Sequence, residues 1–243
     1  MKSFAILFLV FLFQHPVFAQ QDSVRDLRQL TSLTIKGVVQ NIEDDSILKK
    51  IIKIELIDKK TFLAKKKLAV GDYLTAKKAV KKVKGKIKLP LLKGALTLTD
   101  RHPLDESREN YEYLGCIDFL DVYVILGSYW EDLDYKFISR KSGKEVQSFS
   151  YFPYISAGKK NIISIYDYVY DNEAYFDLYK IVNKKPVSIL GATFKNWIPA
   201  TEKERMFWGD DGNFYVPILY SDNYLNKDGN YSTDYKYIRI SML

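Results

Sequence analysis

Phe152-Pro153-Tyr154-Ile155-Ser156-Ala157-Gly158-Lys159-Lys160-Asn161-Ile162-Ile163-Ser164-Ile165-Tyr166-Asp167-Tyr168-Val169-Tyr170 holds the pattern that decides the fold. Two short runs of aromatic and β-branched residues, 152–156 and 161–170, flank a turn at Ala157-Gly158-Lys159. Such runs between turn residues read as antiparallel strands. The pattern continues with a turn at 171–173, a run over 174–182, a turn at 183–186 and a run over 187–190. Each unit is therefore strand, turn, strand, turn, strand, turn, strand.

The same unit appears on both sides. Before it lie runs at 114–120, 122–130, 135–139 and 145–149, with turns at 131–134 and 141–144. After it lie runs at 194–198, 205–208, 213–220 and 235–241, with a turn at Asp210-Asp211-Gly212. Leu114, Ile155 and Ile198 occupy equivalent places, so the repeat is 41 and then 43 residues. A four-stranded propeller blade repeats every 40–45 residues or so. The predicted class is all-β, mainly antiparallel, with β-propeller-like four-stranded blades over 101–243. A β-sandwich is the alternative. Propellers have about four to eight blades, so three units require further strands from before residue 100.

Residues 20–100 form a basic N-terminal segment. Between Lys49 and Lys93 sixteen lysines face Glu55, Asp58 and Asp72, a balance of +13, whereas 94–243 carries 17 basic and 22 acidic residues. The net charge of +7 thus belongs to one segment. Residues 33–39 read as a strand. Residues 51–57 read as a half-buried strand, with helix as the alternative because Ile47, Leu48, Ile51 and Ile52 also fit a 3.6-residue period. Asp72 resembles an N-cap, and Tyr73, Ala76, Val80 and Val83 at helical spacing before Gly85 predict a short helix with a face of Lys77, Lys78, Lys81 and Lys82. Runs at 87–92 and 95–99 predict a hairpin around Lys93-Gly94.

Lys2, the apolar run over 4–13 and Val17-Phe18-Ala19 read as a secretory signal peptide, 1–19, with cleavage after Ala19. That apolar run is shorter than the roughly 20 residues a bilayer-spanning helix needs. The expectation is export to the periplasm or beyond, with no transmembrane segment in the mature chain. A lone cysteine, Cys116, forms no intramolecular disulfide and reads as a buried small hydrophobe.

The turn 152–163 resembles the proline, serine, glycine and lysine turn that opens blades in TolB-like and WD40-like β-propeller repeats. Residues 135–139 with Lys141-Ser142-Gly143-Lys144-Glu145 are similar to the closing hairpin of such a blade. The arrangement resembles uncharacterised exported proteins of Bacteroidetes-type bacteria, in which blades follow a variable N-terminal segment. The likeness covers about residues 111–220. Ala157 stands where a proline is usual, the aspartate beside the glycine is missing, and the third unit lacks the turn. The resemblance implies a recognition scaffold and carries over no catalytic residue.

The sequence has no Gly-rich phosphate loop, G-x-S-x-G, H-E-x-x-H or paired C-x-x-C. After the leader, His102 is the only histidine, which excludes a multi-histidine metal site. Asp118, Asp121, Glu131, Asp132, Asp134, Asp167, Asp171, Asp177, Asp210 and Asp211 could supply two carboxylates to a glycosidase, but turn positions suit Asp for backbone reasons alone. The oxygen-rich loops at 210–213 and 222–230 lack the order of a calcium loop. No metal or cofactor is therefore expected.

Aromatic content carries the functional expectation. Tyr166, Tyr168 and Tyr170 alternate along one run and share a face, with Tyr175 and Tyr179 on the next. Trp130 and Trp208 precede acidic turns, which predicts surface positions. These five residues, Trp130, Tyr166, Tyr168, Tyr170 and Trp208, are the candidate binding site, since aromatic rings give large contact area at recognition surfaces. The lysine-rich segment lacks interleaved arginine and aromatic residues, which argues against nucleic acid. The expected function is a non-catalytic binding or protein-interaction module of the cell envelope, with an envelope or extracellular protein or glycan as partner. A carbohydrate-active hydrolase and an inhibitor or immunity-like protein are the alternatives.

Overall fold

Alternation of apolar and polar side chains sets the strands of this chain and decides which face each sheet buries. Residues 26–43, 45–102, 106–168, 171–200, 205–226, 228–230 and 232–243 are described by a computed structural model. The expected leader, 1–19, lies outside the described residues, as do Tyr170 and the side chain of Tyr168.

The elements begin with β1 (Leu30–Ile35), β2 (Val38–Val39), α1 (Leu48–Ile51), β3 (Ile52–Ile57) and α2 (Lys59–Lys66). A three-stranded sheet follows, β4 (Lys82–Val83), β5 (Lys86–Pro90) and β6 (Ala95–Thr99). Next comes a four-stranded sheet of β7 (Asn110–Ile117), β8 (Val122–Ser128), β9 (Leu133–Ser139) and β10 (Glu145–Phe149). Strands β11 (Tyr154–Ile155), β12 (Asn161–Tyr168), β13 (Glu173–Val182) and β14 (Lys185–Phe194) form a third sheet, extended to six strands by β1 and β2. The last contains β15 (Trp197–Pro199), β16 (Phe207–Trp208), β17 (Phe214–Tyr220) and β18 (Lys236–Met242), with β3 at its edge. All named strand pairings are antiparallel. Each sheet is open, so the all-β class is established and closure into a propeller is not.

The repeat units coincide with the last three sheets, and Leu114, Ile155 and Ile198 each sit in the first strand of theirs. The predicted hairpin appears as β5 and β6. Both readings of 47–57 are realised in succession, one helical turn and then a strand.

The sheets stack face to face. Ile87 and Leu89 of the three-stranded sheet pack on Tyr123, Ile125 and Ile138. The opposite face of the four-stranded sheet, with Val124 and Phe137, meets Ile155 and Ile162. Beyond them Leu33, Ile165, Phe176 and Phe194 meet Trp197, Val216, Ile218 and Ile240 in the main core. Such alternation is visible in β13, where Ala174, Phe176 and Leu178 turn to this core while Tyr175, Asp177 and Tyr179 take the other face. Cys116 is buried in the first of these clusters, as its sequence setting predicts.

The helix expected over 72–85 does not form. Tyr73 and Ala76 have φ of 56° and 51°, in the left-handed region no right-handed helix can use. Thr75 instead exchanges both backbone hydrogen bonds with Cys116, at 2.9 Å each, so tertiary pairing overrides the local pattern. The basic segment's longer helix is α2, which Asp58 caps by accepting from the Thr61 amide at 2.6 Å. Its Phe62 lies against Tyr237 at 4.4 Å and Phe207 at 5.2 Å between ring centroids, covering the outer face of the last sheet. Phe62→Ala should cost about 3–5 kcal/mol in denaturant unfolding, while Val39→Ala, 80% exposed, should stay within about 0.5 kcal/mol of the parent.

Candidate functional site

Strands of the last three sheets converge on one cavity of about 710 Å³. Leu114 of β7, Tyr154 and Ile155 of β11, and Phe207 and Trp208 of β16 contribute to its wall. A strap formed by residues 69–77 runs along it: Ala69 bridges Gly209, the Val70 amide donates to the Trp208 carbonyl at 2.8 Å, and Thr75 reaches Cys116. The strap is held by two different sheets, to which the backbone groups of Val70 and Thr75 are bonded.

Aromatic rings set the shape. Tyr135 meets Phe152 edge to face at 5.6 Å and Tyr151 at 6.3 Å, and Phe152 meets Tyr154 at 4.9 Å. The Trp208 indole N–H donates to the Tyr154 carbonyl at 2.8 Å, and the Ser164 hydroxyl donates to the Tyr151 carbonyl at 3.2 Å. These bonds fix the backbone from which the rings project. Burial pushes the hydroxyls of Tyr135 and Tyr154 up from the ordinary tyrosine value, and the positive charge of Arg205 opposes the rise at both. Both hydroxyls therefore remain protonated donors at neutral pH. Lys66, Lys77 and Arg205 bring positive charge to the wall. Lys77 is paired with Asp72 at 2.9 Å, whereas Arg205 has no ion pair among the described residues.

The five candidates separate. Trp208 is 2% exposed and belongs to the cavity wall and the main core, which corrects its expected surface position: its ring packs on Phe214 and its N–H is used internally. Trp130 is 47% exposed, as its turn setting predicts, and is not part of the cavity. Tyr166 stacks on Tyr175, opposite it in register, with centroids 4.9 Å apart and an interplanar angle of 14°. Tyr168 extends the same strand, and Tyr170 lies outside the described residues.

The carboxylates serve mostly local roles. Asp118 pairs with Arg140 at 2.8 Å, Asp134 with Lys136 at 2.6 Å, and Asp211 with Lys65 at 2.7 Å. Asp211 also accepts from the Asn213 amide and the Tyr215 hydroxyl, which explains its place in the 210–213 turn. Asp72 is the one carboxylate in the cavity wall among the described residues. No group of three or more His, Cys, Asp or Glu side chains among the described residues could hold a metal ion. His102 is exposed, 3.9 Å from Asp100.

Asp177 is the exception. It sits in a separate small pocket on the six-stranded sheet, opposite Ser164 on β12 and Gly191 on β14. Burial alone pushes its carboxyl up to about 6, and no hydrogen bond or ion pair among the described residues offsets that burial. The sequence offered Asp177 only as one of ten carboxylates for a glycosidase, within the run 174–182, and did not point to Tyr135, Tyr151, Tyr154 or Arg205. The signal was available in Tyr151-Phe152-Pro153-Tyr154, an aromatic cluster where a repeat begins.

No protein-family model, curated protein or solved structure matches the chain.

Lifting Asp177 from 3.8 to about 6 costs the native state roughly 3 kcal/mol above that pH. The native carboxyl keeps its proton to about pH 6 and the unfolded one only to about pH 4, so stability falls as pH rises between them. Asp177→Asn should therefore unfold at higher denaturant than the parent at pH 8, by up to about 3 kcal/mol, with the difference vanishing near pH 4.

Proposed function

We propose that this chain is an exported, non-catalytic binding module of the cell envelope, that its sheets are blades of a propeller-like arrangement, and that it takes an acidic glycan into the central cavity. Strands of all three repeat units lining one cavity support the blade reading, as does the 41- and 43-residue spacing. Lys2, the apolar run at 4–13 and Val17-Phe18-Ala19 support export. No helix among the described residues is long and apolar enough to cross a membrane.

The observation that carries the ligand class is the meeting of aromatic rings with Arg205 in a cavity of ordinary ligand size. Pockets of about 300–1,000 Å³ hold small ligands. The apolar face of a sugar ring packs on aromatic rings, and a guanidinium matches a carboxylate in two parallel hydrogen bonds. Tyr135 and Tyr154 add hydroxyl donors. The cavity's single described carboxylate, Asp72, is held by Lys77 and by the Leu74 amide, whereas glycoside hydrolysis ordinarily uses two carboxyl groups. The wall thus favours retention over cleavage.

Calorimetric titration with uronic-acid oligosaccharides from pectin, alginate and hyaluronan tests this reading. At least one series should bind the mature chain. Tyr154→Ala and Arg205→Ala should each weaken it about tenfold or more, near 1.4 kcal/mol, with circular dichroism unchanged. Trp130→Ala should bind as the parent does. No reducing ends should appear. Equal affinity in the Tyr154 and Arg205 variants, or release of reducing sugar, would contradict the proposal.

A further inference from the structure

The pocket around Asp177 has a composition unlike that of the central cavity. Its volume is about 220 Å³, and hydroxyl side chains of Ser32, Thr34 and Thr193 form one wall. Ser32 and Thr193 share a hydrogen bond at 2.6 Å. The stacked Tyr166–Tyr175 pair stands on the other side, with Tyr175 held by a 2.8 Å hydrogen bond from its hydroxyl to Asp171. Gly191 keeps the space open: a β-carbon there would lie 3.3 Å from the Asp177 carboxylate. No arginine or lysine lines the pocket.

Asp177 is half-buried and opens onto this pocket, and a carboxylate drawn partly out of water without a countercharge is unfavourable. Here the register forces the exposure of Asp177 to this pocket, because Ser164, Asp177 and Gly191 are direct cross-strand neighbours and share a face. The empty place beside the carboxylate is bounded by aromatic rings, which attract cations through their faces, and by hydroxyl oxygens able to accept hydrogen bonds. A primary ammonium has three donors and one positive charge, and its alkyl stem is narrow enough for a pocket of this size. We propose that this pocket is a second binding site, distinct from the central cavity, which takes a primary ammonium group with Asp177 as its counter-ion and the Tyr166–Tyr175 stack as its aromatic wall. The ammonium can come from a free alkylamine or from a lysine side chain of another protein.

Titration of the full mature chain, followed by the NMR signals of Gly191 and the neighbouring strand amides, distinguishes these sources. The probes are n-butylammonium chloride, an acetylated and amidated Gly-Lys-Gly peptide, and n-butanol as the neutral isostere. Saturable shifts with n-butylammonium and none with n-butanol are expected. Matching shifts with the peptide would identify a lysine side chain as an acceptable source, and shifts with the small amine alone would restrict the site to free amines. Asp177→Asn should weaken binding at least tenfold while keeping the fold. Gly191→Ala should weaken it through filled space with Asp177 intact. Tyr154→Ala should leave it unchanged, so failure here is separable from failure of the glycan reading. Absence of saturation in the parent chain, or undiminished binding in Asp177→Asn, would overturn the proposal.

Discussion

Antiparallel pairing of β3 with β18 ties the basic N-terminal segment to the far end of the chain, and the cavity depends on it. Ile52 through Ile57 pair in unbroken register with Met242 through Tyr237. The Arg239–Glu55 pair, 2.7 Å apart, lies across that register. Once β3 is fixed, α2 follows immediately and lays Phe62 on the outer face of the same sheet. The chain then leaves as the strap whose contacts with Gly209, Trp208 and Cys116 bring two sheets to one cavity. On the neighbouring sheet β1 plays a parallel part against β14 and brings Ser32 and Thr34 to the Asp177 pocket. Both proposed binding sites therefore use N-terminal residues that the repeat units lack.

This arrangement also distributes charge. The lysines that make the chain basic are spread over α2, the strap and the three-stranded sheet, with Lys86 and Lys88 of β5 exposed between the buried Ile87 and Leu89. Most are solvated or neutralised locally, as Lys82 is by the buried Asp100 at 2.6 Å. Only a few, Lys66 and Lys77 among them, reach the cavity wall. On the proposed function, long-range attraction of acidic material would fall to the exposed lysines and weaken with added salt, and specific retention to the rings and the Arg205 fork.

Much of the C-terminal architecture was legible because short aromatic and β-branched runs there are separated by turns that carry Asp, Asn, Gly and Lys. The run 213–220 corresponds to β17 within a residue, and 145–149 to β10. The region before residue 100 was harder because its sheet partners lie far away in sequence. Tyr73, Ala76, Val80 and Val83 keep helical spacing, yet Thr75 pairs with Cys116 and the backbone turns left-handed at Tyr73 and Ala76. Trp208 read as a rim residue from its neighbour turn, but its ring is buried in the main core, where it packs on Phe214 and its N–H is taken by the Tyr154 carbonyl. Asp177 gave no signal at all, since burial of one carboxylate on a tyrosine-rich face follows from cross-strand register, which no local pattern encodes.

Native-state hydrogen–deuterium exchange of residues 20–243 tests most directly whether the N-terminal strands complete these sheets. The amides of β3 are predicted to exchange as slowly as those of β17 and β18, and to lose protection together with them when the last sheet is destabilised. Rapid exchange throughout Ile52–Ile57, with β17 and β18 still protected, would contradict the account.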